Sequence, residues 1–208
     1  MKYNSFSYIY PPRPATIISP KSLTKFESGF FAQPKLNGSS MVVFTNGKIC
    51  KIYDRHKKVL YNFKMDIKEI LSLHKEPGWL VLVGEYMNRS KKDENNTIWN
   101  QKFCLYDILV RKNKYLIKTT FKERQNILDI LYPINETKPY LSQISENNFR
   151  MLNIYKDFKK VYDEITQYDM YEGLVLKMID GKLEKGLRSN NNTKTQIKSR
   201  KSTKNYAY

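Results

Sequence analysis

Short apolar runs recur along the chain and predict β-strands. Residues 41–44 and 49–53 flank the pair Asn46-Gly47, and an Asn-Gly pair between apolar runs is typical of a β-hairpin turn. Further buried strands are expected at residues 79–83, 102–110 and 173–176.

Apolar residues at helical spacing predict amphipathic helices between these strands. Residues 63–74 form one such stretch, and a second follows Thr119-Thr120, where Glu123 completes a capping box. A further helix is expected over residues 146–167, and its aromatic side chains are expected in the core rather than in a site. Its apolar positions are Phe149, Leu152, Phe158, Val161 and Ile165.

Two segments depart from these patterns. Residues 8–20 contain four prolines. Because proline disfavours helices and central strands, we expect residues 1–25 to form an extended lead-in on the domain surface. Residues 89–100 are polar and predict a mobile loop. No internal repeat or linker marks a domain boundary, so we predict one α+β domain over residues 1–208 with largely antiparallel sheets.

The composition is that of a globular protein with a large basic excess. Lysine and arginine number 37 against 20 acidic residues, which gives a net charge of +17. An excess of this size attracts polyanions, and the interspersed Tyr and Phe favour nucleic acid over a membrane surface as the partner. A solubility device or the bias of an AT-rich genome is the alternative interpretation.

The sequence argues against a disulfide, a structural zinc site and a membrane anchor. Cys50 and Cys104 lie in strand-like runs, where reduced core residues are expected, and neither is at ligand spacing from His56 or His74. No apolar run is long enough to span a bilayer, and the N-terminus lacks the apolar core of a signal peptide. We therefore expect the protein in the cytoplasm, which would be that of the host cell if a phage encodes it. Independently of these observations, we expect a monomer.

Lys35 lies between two strand-forming runs, residues 30–32 and 41–44, and the segment between them contains Gly38. A rigid position of this kind suits a nucleophilic amine, because attack on phosphorus requires the amine to be held in line with the leaving group. A basic residue in a hairpin loop is the alternative interpretation.

Charged residues also follow or end other apolar strands. They are Glu85, Glu172 with Lys177, and Lys198 with Arg200. If these strand ends converge, one cleft would hold an amine, two carboxylates and several cations, which is a combination suited to phosphate chemistry. The carboxylates would orient a ribose hydroxyl and a hydrated Mg²⁺ (or Mn²⁺).

Six segments carry these residues and their neighbours, in this order: Lys35-Leu36-Asn37-Gly38, Arg55, Val83-Gly84-Glu85, Leu105-Tyr106-Asp107-Ile108, Glu172-Gly173-Leu174-Val175-Leu176-Lys177 and Lys198-Ser199-Arg200. Together they resemble the ordered motifs of the covalent nucleotidyltransferases, which comprise ATP-dependent DNA ligases, RNA ligases and messenger-RNA capping enzymes. The resemblance runs from about residue 33 to residue 201, and six motifs in order are specific where one would be weak.

The resemblance implies an α+β, ATP-grasp-like adenylation domain of two mainly antiparallel sheets flanked by helices, with a cleft between the sheets. It implies an ATP-dependent polynucleotide ligase that seals a nick between a 5′-phosphate and a 3′-hydroxyl through lysyl-AMP on Lys35. ATP and Mg²⁺ (or Mn²⁺) would be the cofactors, and nicked double-stranded nucleic acid would be the partner.

The resemblance also assigns roles to individual residues. Glu85 would bind the ribose, Tyr106 would stack on adenine, and Lys177 with the two later cations would contact the α-phosphate. The expected nucleotide ligands are Gln33, Arg55, Glu85, Tyr106, Glu172, Lys177, Lys198 and Arg200. The expected metal ligands are Glu85 and Glu172. The expected nucleic-acid ligands are Arg55, Arg188, Lys201 and Lys204.

Departures from the family pattern bear on which strand is sealed. Asn37 and Ser40 stand where DNA ligases and capping enzymes usually carry aspartate and arginine, whereas RNA ligases vary at both positions. Residues 120–125 and 185–189, in contrast, resemble segments of DNA ligases. We therefore expect sealing of DNA nicks, with an RNA ligase or a ligase of mixed RNA/DNA strands as the alternative.

No oligonucleotide-binding (OB) domain fits after Arg200, so we expect a stand-alone adenylation domain, as in very small phage-type ligases. Capping enzymes normally carry an OB domain, which makes a capping guanylyltransferase the less favoured interpretation. From a different class, the alternative is a catalytically inactive nucleic-acid-binding module that keeps the fold.

Overall fold

A computed structural model of the chain describes residues 8–61, 63–135, 139–144, 148–186 and 194–202. Its strands are β1 (Thr16–Ile17), β2 (Phe30–Leu36), β3 (Ser39–Thr45), β4 (Cys50–Asp54), β5 (Leu80–Met87), β6 (Lys91–Lys92), β7 (Ile98–Trp99), β8 (Lys102–Arg111), β9 (Lys114–Tyr115), β10 (Leu141–Gln143), β11 (Phe149–Leu152), β12 (Tyr171–Met178) and β13 (Gln196–Arg200). Its α-helices are α1 (Ile67–Ser72), α2 (Phe121–Leu131) and α3 (Phe158–Ile165), and a 3-10 helix covers Pro20–Phe26.

The strands form two large sheets, as the sequence predicts. The first sheet has the order β1-β13-β12-β2, and the second has the order β10-β11-β8-β5-β3-β4, with β9 paired to β8. Most neighbours are antiparallel, while β1 with β13 and β11 with β8 are parallel pairs. The predicted α+β arrangement of two mainly antiparallel sheets with helices is therefore confirmed.

The predicted hairpin is formed by β3 and β4. Gly47 has a φ of +84°, a conformation that favours glycine, and the side-chain oxygen of Asn46 accepts hydrogen bonds from the backbone of Lys48 and Ile49. On β3, Met41 and Val43 belong to one buried apolar cluster, whereas Val42 and Phe44 belong to another. The strand is buried on both faces, which explains its uninterrupted apolar sequence.

The chain crosses from the first sheet to the second at Asn37-Gly38. The backbone amide of Asn37 donates to the carbonyl of Met170 at 3.0 Å. A Cβ atom on Gly38 would lie 2.6 Å from the carbonyl oxygen of Tyr86, so a larger residue would push the crossing away from β5. Glycine therefore allows the end of β2, which carries Lys35, to lie directly beside the second sheet.

The helices cover the sheets with apolar side chains. Phe158 of α3 packs with Leu174 of the first sheet, while Ile70 of α1 and Leu128 of α2 pack in the cluster of the second sheet. The capping box at the start of α2 is present as predicted. The side chain of Thr120 accepts a hydrogen bond from the backbone amide of Glu123, and the side chain of Glu123 accepts one from the backbone amide of Thr120. In the part of the chain that the structure describes, no helix has the length and apolar character needed to cross a membrane.

The helix expected over residues 146–167 is only partly present. Residues 149–152 form β11, which pairs in parallel with β8, and α3 begins at Phe158 after the capping residue Asp157. The prediction was wrong for the first half because all four residues of β11 are buried, and a fully buried strand shows no alternation that separates it from a helix. Phe149 and Phe158 are core residues, as expected.

Three other predicted segments differ in detail. In the polar segment 89–100, β6 and β7 form a short hairpin in place of the expected loop, and the buried carboxylate of Asp93 accepts a hydrogen bond from the indole of Trp99 at 2.7 Å. Helix α1 is shorter than predicted because Asp66 caps its start. The lead-in was expected to stay extended to residue 25, but a 3-10 helix begins at Pro20, and residues 1–7 lie outside the described residues. Both cysteines are free, as predicted.

Asp107 and Arg124 form a buried ion pair that joins β8 to α2. The Nε atom of Arg124 donates to Asp107 at 2.7 Å, and both side chains are 2% exposed. Arg124 also donates to the carbonyl of Thr119, so its remaining hydrogen-bonding capacity is partly used. An acid buried inside a strand needs a partner of this kind, because an isolated buried charge is costly.

We expect Arg124→Ala to destabilise the protein by about 3–5 kcal/mol, because it leaves the Asp107 carboxylate buried without its partner. Urea-induced unfolding followed by circular dichroism measures this loss. The matched control is Arg111→Ala, which breaks a partly exposed pair with Glu76 and should cost about 1 kcal/mol or less. Equal losses in the two variants would contradict the assignment.

Candidate active site

A cleft of about 780 Å³ lies between the two sheets. Strands β2, β12 and β13 line it from the first sheet, and β3, β5 and β8 line it from the second. The strand ends therefore converge, as the sequence predicts. The predicted site residues that line this cleft are Gln33, Lys35, Arg55, Glu85, Tyr106, Glu172, Lys177, Lys198 and Arg200.

One carboxylate oxygen joins two cations at the centre of the cleft. Lys35 Nζ donates to Glu172 Oε2 at 2.5 Å, and a guanidinium nitrogen of Arg200 donates to the same oxygen at 2.7 Å. The three residues come from adjacent strands β2, β12 and β13, in which Gly173 pairs with Lys35 on one side and with Arg200 on the other. The register of the sheet thus brings the three groups together.

Glycine is required next to this carboxylate. Gly173 has a φ of +140°, and a Cβ atom there would lie 2.1 Å from the carbonyl oxygen of Ser199. The pairing of β12 with β2 is irregular between Tyr171 and Gly173. This irregularity lies at Glu172, which explains why a glycine directly follows the glutamate.

The two carboxyl groups of the cleft have different acidities. Burial alone would raise the pKa of Glu172, but Lys35 and Arg200 outweigh burial and lower it. Burial raises the pKa of Glu85 to about 7, although the charge of Lys35 opposes this, and the nearby Glu172 raises it further. Glu172 is therefore ionised at neutral pH, while Glu85 titrates there and can accept a hydroxyl hydrogen bond as a carboxylate.

Tyr106 forms an aromatic wall of the cleft. Its hydroxyl lies 3.2 Å from Ser40 Oγ, within hydrogen-bonding distance. Lys177 Nζ donates to the carbonyl oxygen of Tyr106 at 3.0 Å and lies 4.7 Å from the ring centroids of both Tyr106 and Phe121. Burial lowers the pKa of Lys177 to about 7. The contacts of this lysine support the position of the tyrosine ring.

Gln33 presents a buried acceptor to the cleft. Its side-chain nitrogen donates to the carbonyl of Leu152 at 3.4 Å and approaches Gln125 Oε1 at 3.5 Å. Among the described residues, its side-chain oxygen has no hydrogen-bond partner, although the residue is 1% exposed. A buried polar atom without a partner is costly, so a ligand amine that donates to this oxygen would be favoured. An adenine amino group is such a donor.

The wall formed by β13 adds positive charge. Burial lowers the pKa of Lys198, and the nearby charges of Arg200 and Lys35 lower it further. Like charges held this close together repel each other, and a bound polyanion relieves the repulsion. The donor set of the cleft therefore fits a nucleoside polyphosphate, with an acceptor for the base, a carboxylate for the sugar and cations for phosphate.

The fit to magnesium rests on Glu85 and Glu172, which both line the cleft. In the described ranges, no group of three or more His, Cys, Asp or Glu residues is arranged to hold a metal ion. Magnesium usually keeps several waters and binds to one or two carboxylates plus substrate phosphates, so two carboxylates beside a phosphate site suit it.

The residues expected to bind nucleic acid are not all found at the cleft. Arg55 lines the cleft, and its Nε atom donates to His56. Lys201 instead donates to the carbonyl oxygens of Thr166 and Tyr168, just after the end of α3. Arg188 and Lys204 lie outside the described residues.

Some residues of the cleft were not predicted from the sequence. Residues 10–15 of the lead-in line it, together with Ser40 and Gln196. The cluster of prolines was the available signal for the lead-in, because a stiff segment holds its side chains in place. A polar residue such as Gln196, within a basic segment, gave no signal of its own.

The sequence profile of the ATP dependent DNA ligase domain matches residues 14–196. The mycobacterial DNA ligase D complexed with ATP and MES has a TM-score of 0.63 and 14% identity, covering 96% of this chain and 62% of that chain. The Chlorella virus DNA ligase-adenylate has a TM-score of 0.51 and 15% identity, covering 91% of this chain and 68% of that chain. No curated protein sequence matches this chain.

The ligase domain of M. tuberculosis LigD is similar to the same degree, with a TM-score of 0.62, 14% identity and coverage of 96% of this chain and 61% of that chain. The chain thus spans about 62% of the length of the mycobacterial ligase D structure that it matches. At these identities the likeness concerns the fold alone, and it agrees with the predicted α+β fold of an adenylation domain. Because the family profile matches most of the sequence, the chain belongs to the ATP dependent DNA ligase domain family.

Proposed function

We propose that the protein is an ATP-dependent polynucleotide ligase that joins a 5′-phosphate to a 3′-hydroxyl at a nick, with DNA as its preferred substrate. The observation that carries this proposal is the bridge formed by Glu172 between Lys35 and Arg200, inside a cleft that also offers an adenine acceptor and a sugar acceptor. An amine held by its neighbours in a phosphate-binding cleft is suited to attack on phosphorus.

In the first step, Lys35 Nζ attacks the α-phosphorus of ATP after its ammonium proton has passed to solvent. A phosphorus–nitrogen bond forms, the bond between the α-phosphorus and the bridging oxygen breaks, and the electron pair leaves with pyrophosphate. Lys198 and Arg200 would neutralise charge on the α-phosphate, and this favours the transition state because they are already in place.

The base and the sugar would bind deeper in the cleft. The unpartnered oxygen of Gln33 would accept the adenine amino group, and Tyr106 would stack on the ring, supported by Lys177. Glu85 would accept a ribose hydroxyl. A magnesium ion held by Glu85, Glu172 and phosphate oxygens would neutralise charge on the phosphates.

In the later steps the AMP group passes from Lys35 to the 5′-phosphate of a nick, and the 3′-hydroxyl then displaces AMP. Arg55 at the cleft would contact the phosphate of the incoming strand. The net charge of +17 supports binding of a duplex by the surface around the cleft. We place the reaction in the cytoplasm and treat the protein as a monomer.

We expect Lys35→Ala to abolish covalent labelling by ATP that carries a labelled α-phosphate, because the nucleophile is absent. The measurement is label retained on the protein after denaturing electrophoresis. The control Lys48→Ala removes an exposed lysine of the β3–β4 turn and should keep full labelling. Absence of label on the wild type, or undiminished label on Lys35→Ala, would refute the proposal.

An inactive module would bind nicked duplex without acquiring label, and a capping enzyme would be labelled by GTP instead.

The preference for DNA or RNA strands at the nick separates the DNA ligase interpretation from the RNA ligase interpretation. Asn37 favours the RNA ligase interpretation. We expect faster sealing of a DNA/DNA nick than of RNA/RNA or mixed nicks on the same template, because residues 120–125 resemble the corresponding segment of DNA ligases. Single-turnover sealing by the adenylated protein measures each substrate separately from ATP use. Faster sealing of the RNA nick would reverse the assignment.

Binding of nicked duplex should depend strongly on salt, because the basic surface displaces counterions from the phosphates. We expect the association constant to fall by on the order of tenfold or more between about 50 and 200 mM salt. Fluorescence anisotropy with a nicked, labelled duplex measures the dependence. Equal affinity at both ends of this range would exclude a mainly electrostatic interface.

A further inference from the structure

A short segment of the lead-in, residues 10–15, crosses the cleft from one sheet to the other. We call it the strap. Before it, Tyr8 and Ile9 are buried with Phe44 in an apolar cluster of the second sheet. After it, β1 pairs in parallel with β13 of the first sheet, and the backbone amide of Ile18 donates to the carbonyl of Lys198 at 2.9 Å. The strap is therefore anchored on both sides of the cleft.

The strap is stiff and lies against the cleft along its whole length. Pro11, Pro12 and Pro14 restrict the backbone, and the first two are buried. The backbone amide of Tyr10 donates to the carbonyl of Gly186 at 2.7 Å, which holds the segment before the prolines. All six residues line the cleft. The side chain between the prolines, that of Arg13, is exposed and is carried on a backbone with little freedom.

Arg13 adds a cation to those already facing the cleft. Burial is the main cause that lowers the pKa of Lys198, and the charges of Arg200 and Lys35 lower it further. The charge of Arg13 adds a smaller effect in the same direction. Glu172 offsets part of the positive charge, because it pairs with both Lys35 and Arg200. Because Glu172 opposes the strand cations, a further cation at the cleft would stabilise a bound triphosphate.

We propose that Arg13 binds the β- and γ-phosphates of ATP, and so also holds pyrophosphate as it leaves. This inference rests on the proposed function. The α-phosphorus must lie at Lys35 Nζ, which is only partly exposed, whereas Arg13 is an exposed side chain at the opening of the cleft. Because the terminal phosphates must depart to solvent, the cation at the opening is positioned for them rather than for the α-phosphate. An arginine fork is suited to two phosphate oxygens.

The test compares Arg13→Ala and Arg13→Gln with the control Lys21→Ala, which removes an exposed cation of the neighbouring 3-10 helix. Calorimetry measures binding of α,β-methylene-ATP, which cannot transfer AMP, and binding of AMP. We expect both Arg13 variants to bind the triphosphate analogue about tenfold more weakly, because one charge-assisted contact is lost, with AMP affinity unchanged. The control should bind both ligands as the wild type does.

A second measurement uses protein that already carries AMP on Lys35. Pyrophosphate removes the label by reversing the first step, and we expect the Arg13 variants to need about tenfold more pyrophosphate for the same rate. Sealing of a nick by the adenylated variants should proceed at the wild-type rate, because no pyrophosphate takes part in the later steps. Thermal unfolding shows whether each variant is folded, and Arg13→Gln keeps the size of the side chain if alanine disturbs the strap.

Several outcomes would overturn the inference. Equal losses of affinity for the triphosphate analogue and for AMP would assign the strap a structural role, and unchanged affinity for both would remove Arg13 from the site. Weaker binding of nicked duplex alone would make it a nucleic-acid contact. Failure of the wild type to acquire label would refute the proposed function, while the calorimetric comparison would still decide whether Arg13 binds the terminal phosphates.

Discussion

The carboxylate of Glu172 is the interaction on which the rest of the site depends. One oxygen accepts hydrogen bonds from both Lys35 and Arg200, so a single group connects three neighbouring strands at their charged residues. The pair of cations would repel each other without it. The carboxylate therefore makes it possible to hold an amine and a guanidinium side by side before any phosphate is bound, and the backbone conformation of Gly173 is what brings the strands close enough.

The second sheet contributes groups of a different kind. Glu85 titrates near neutrality because it is buried, while Glu172 remains ionised because it is paired. Lys177 donates a hydrogen bond to the carbonyl oxygen of Tyr106. The next residue, Asp107, forms the ion pair with Arg124 that joins the same strand to α2. Strand β8, which carries the aromatic wall of the cleft, thus also carries an ion pair that is almost completely buried, so the geometry of the cleft and the stability of the domain depend on the same strand.

The convergence of charged residues on one cleft could be predicted from the sequence more completely than the fold around it. The convergence of Lys35, Glu85 and Glu172 was predictable because each of these charged residues lies beside or at the end of an apolar strand. The strand at residues 149–152 was missed because its partner, β8, is far away in sequence, and burial on all sides removed the alternation that identifies a strand. The part played by residues 10–15 depends on contacts at both ends that no local pattern records.

The anchoring of the strap also limits how far the two sheets can separate. A segment of six residues that contains three prolines is close to extended, and an extended chain of this kind adds only about 3 Å per residue. Because its ends are fixed to opposite sheets, the strap cannot lengthen much further. The strap therefore acts as a tether that sets an upper limit on the separation of the two sheets at its side of the cleft.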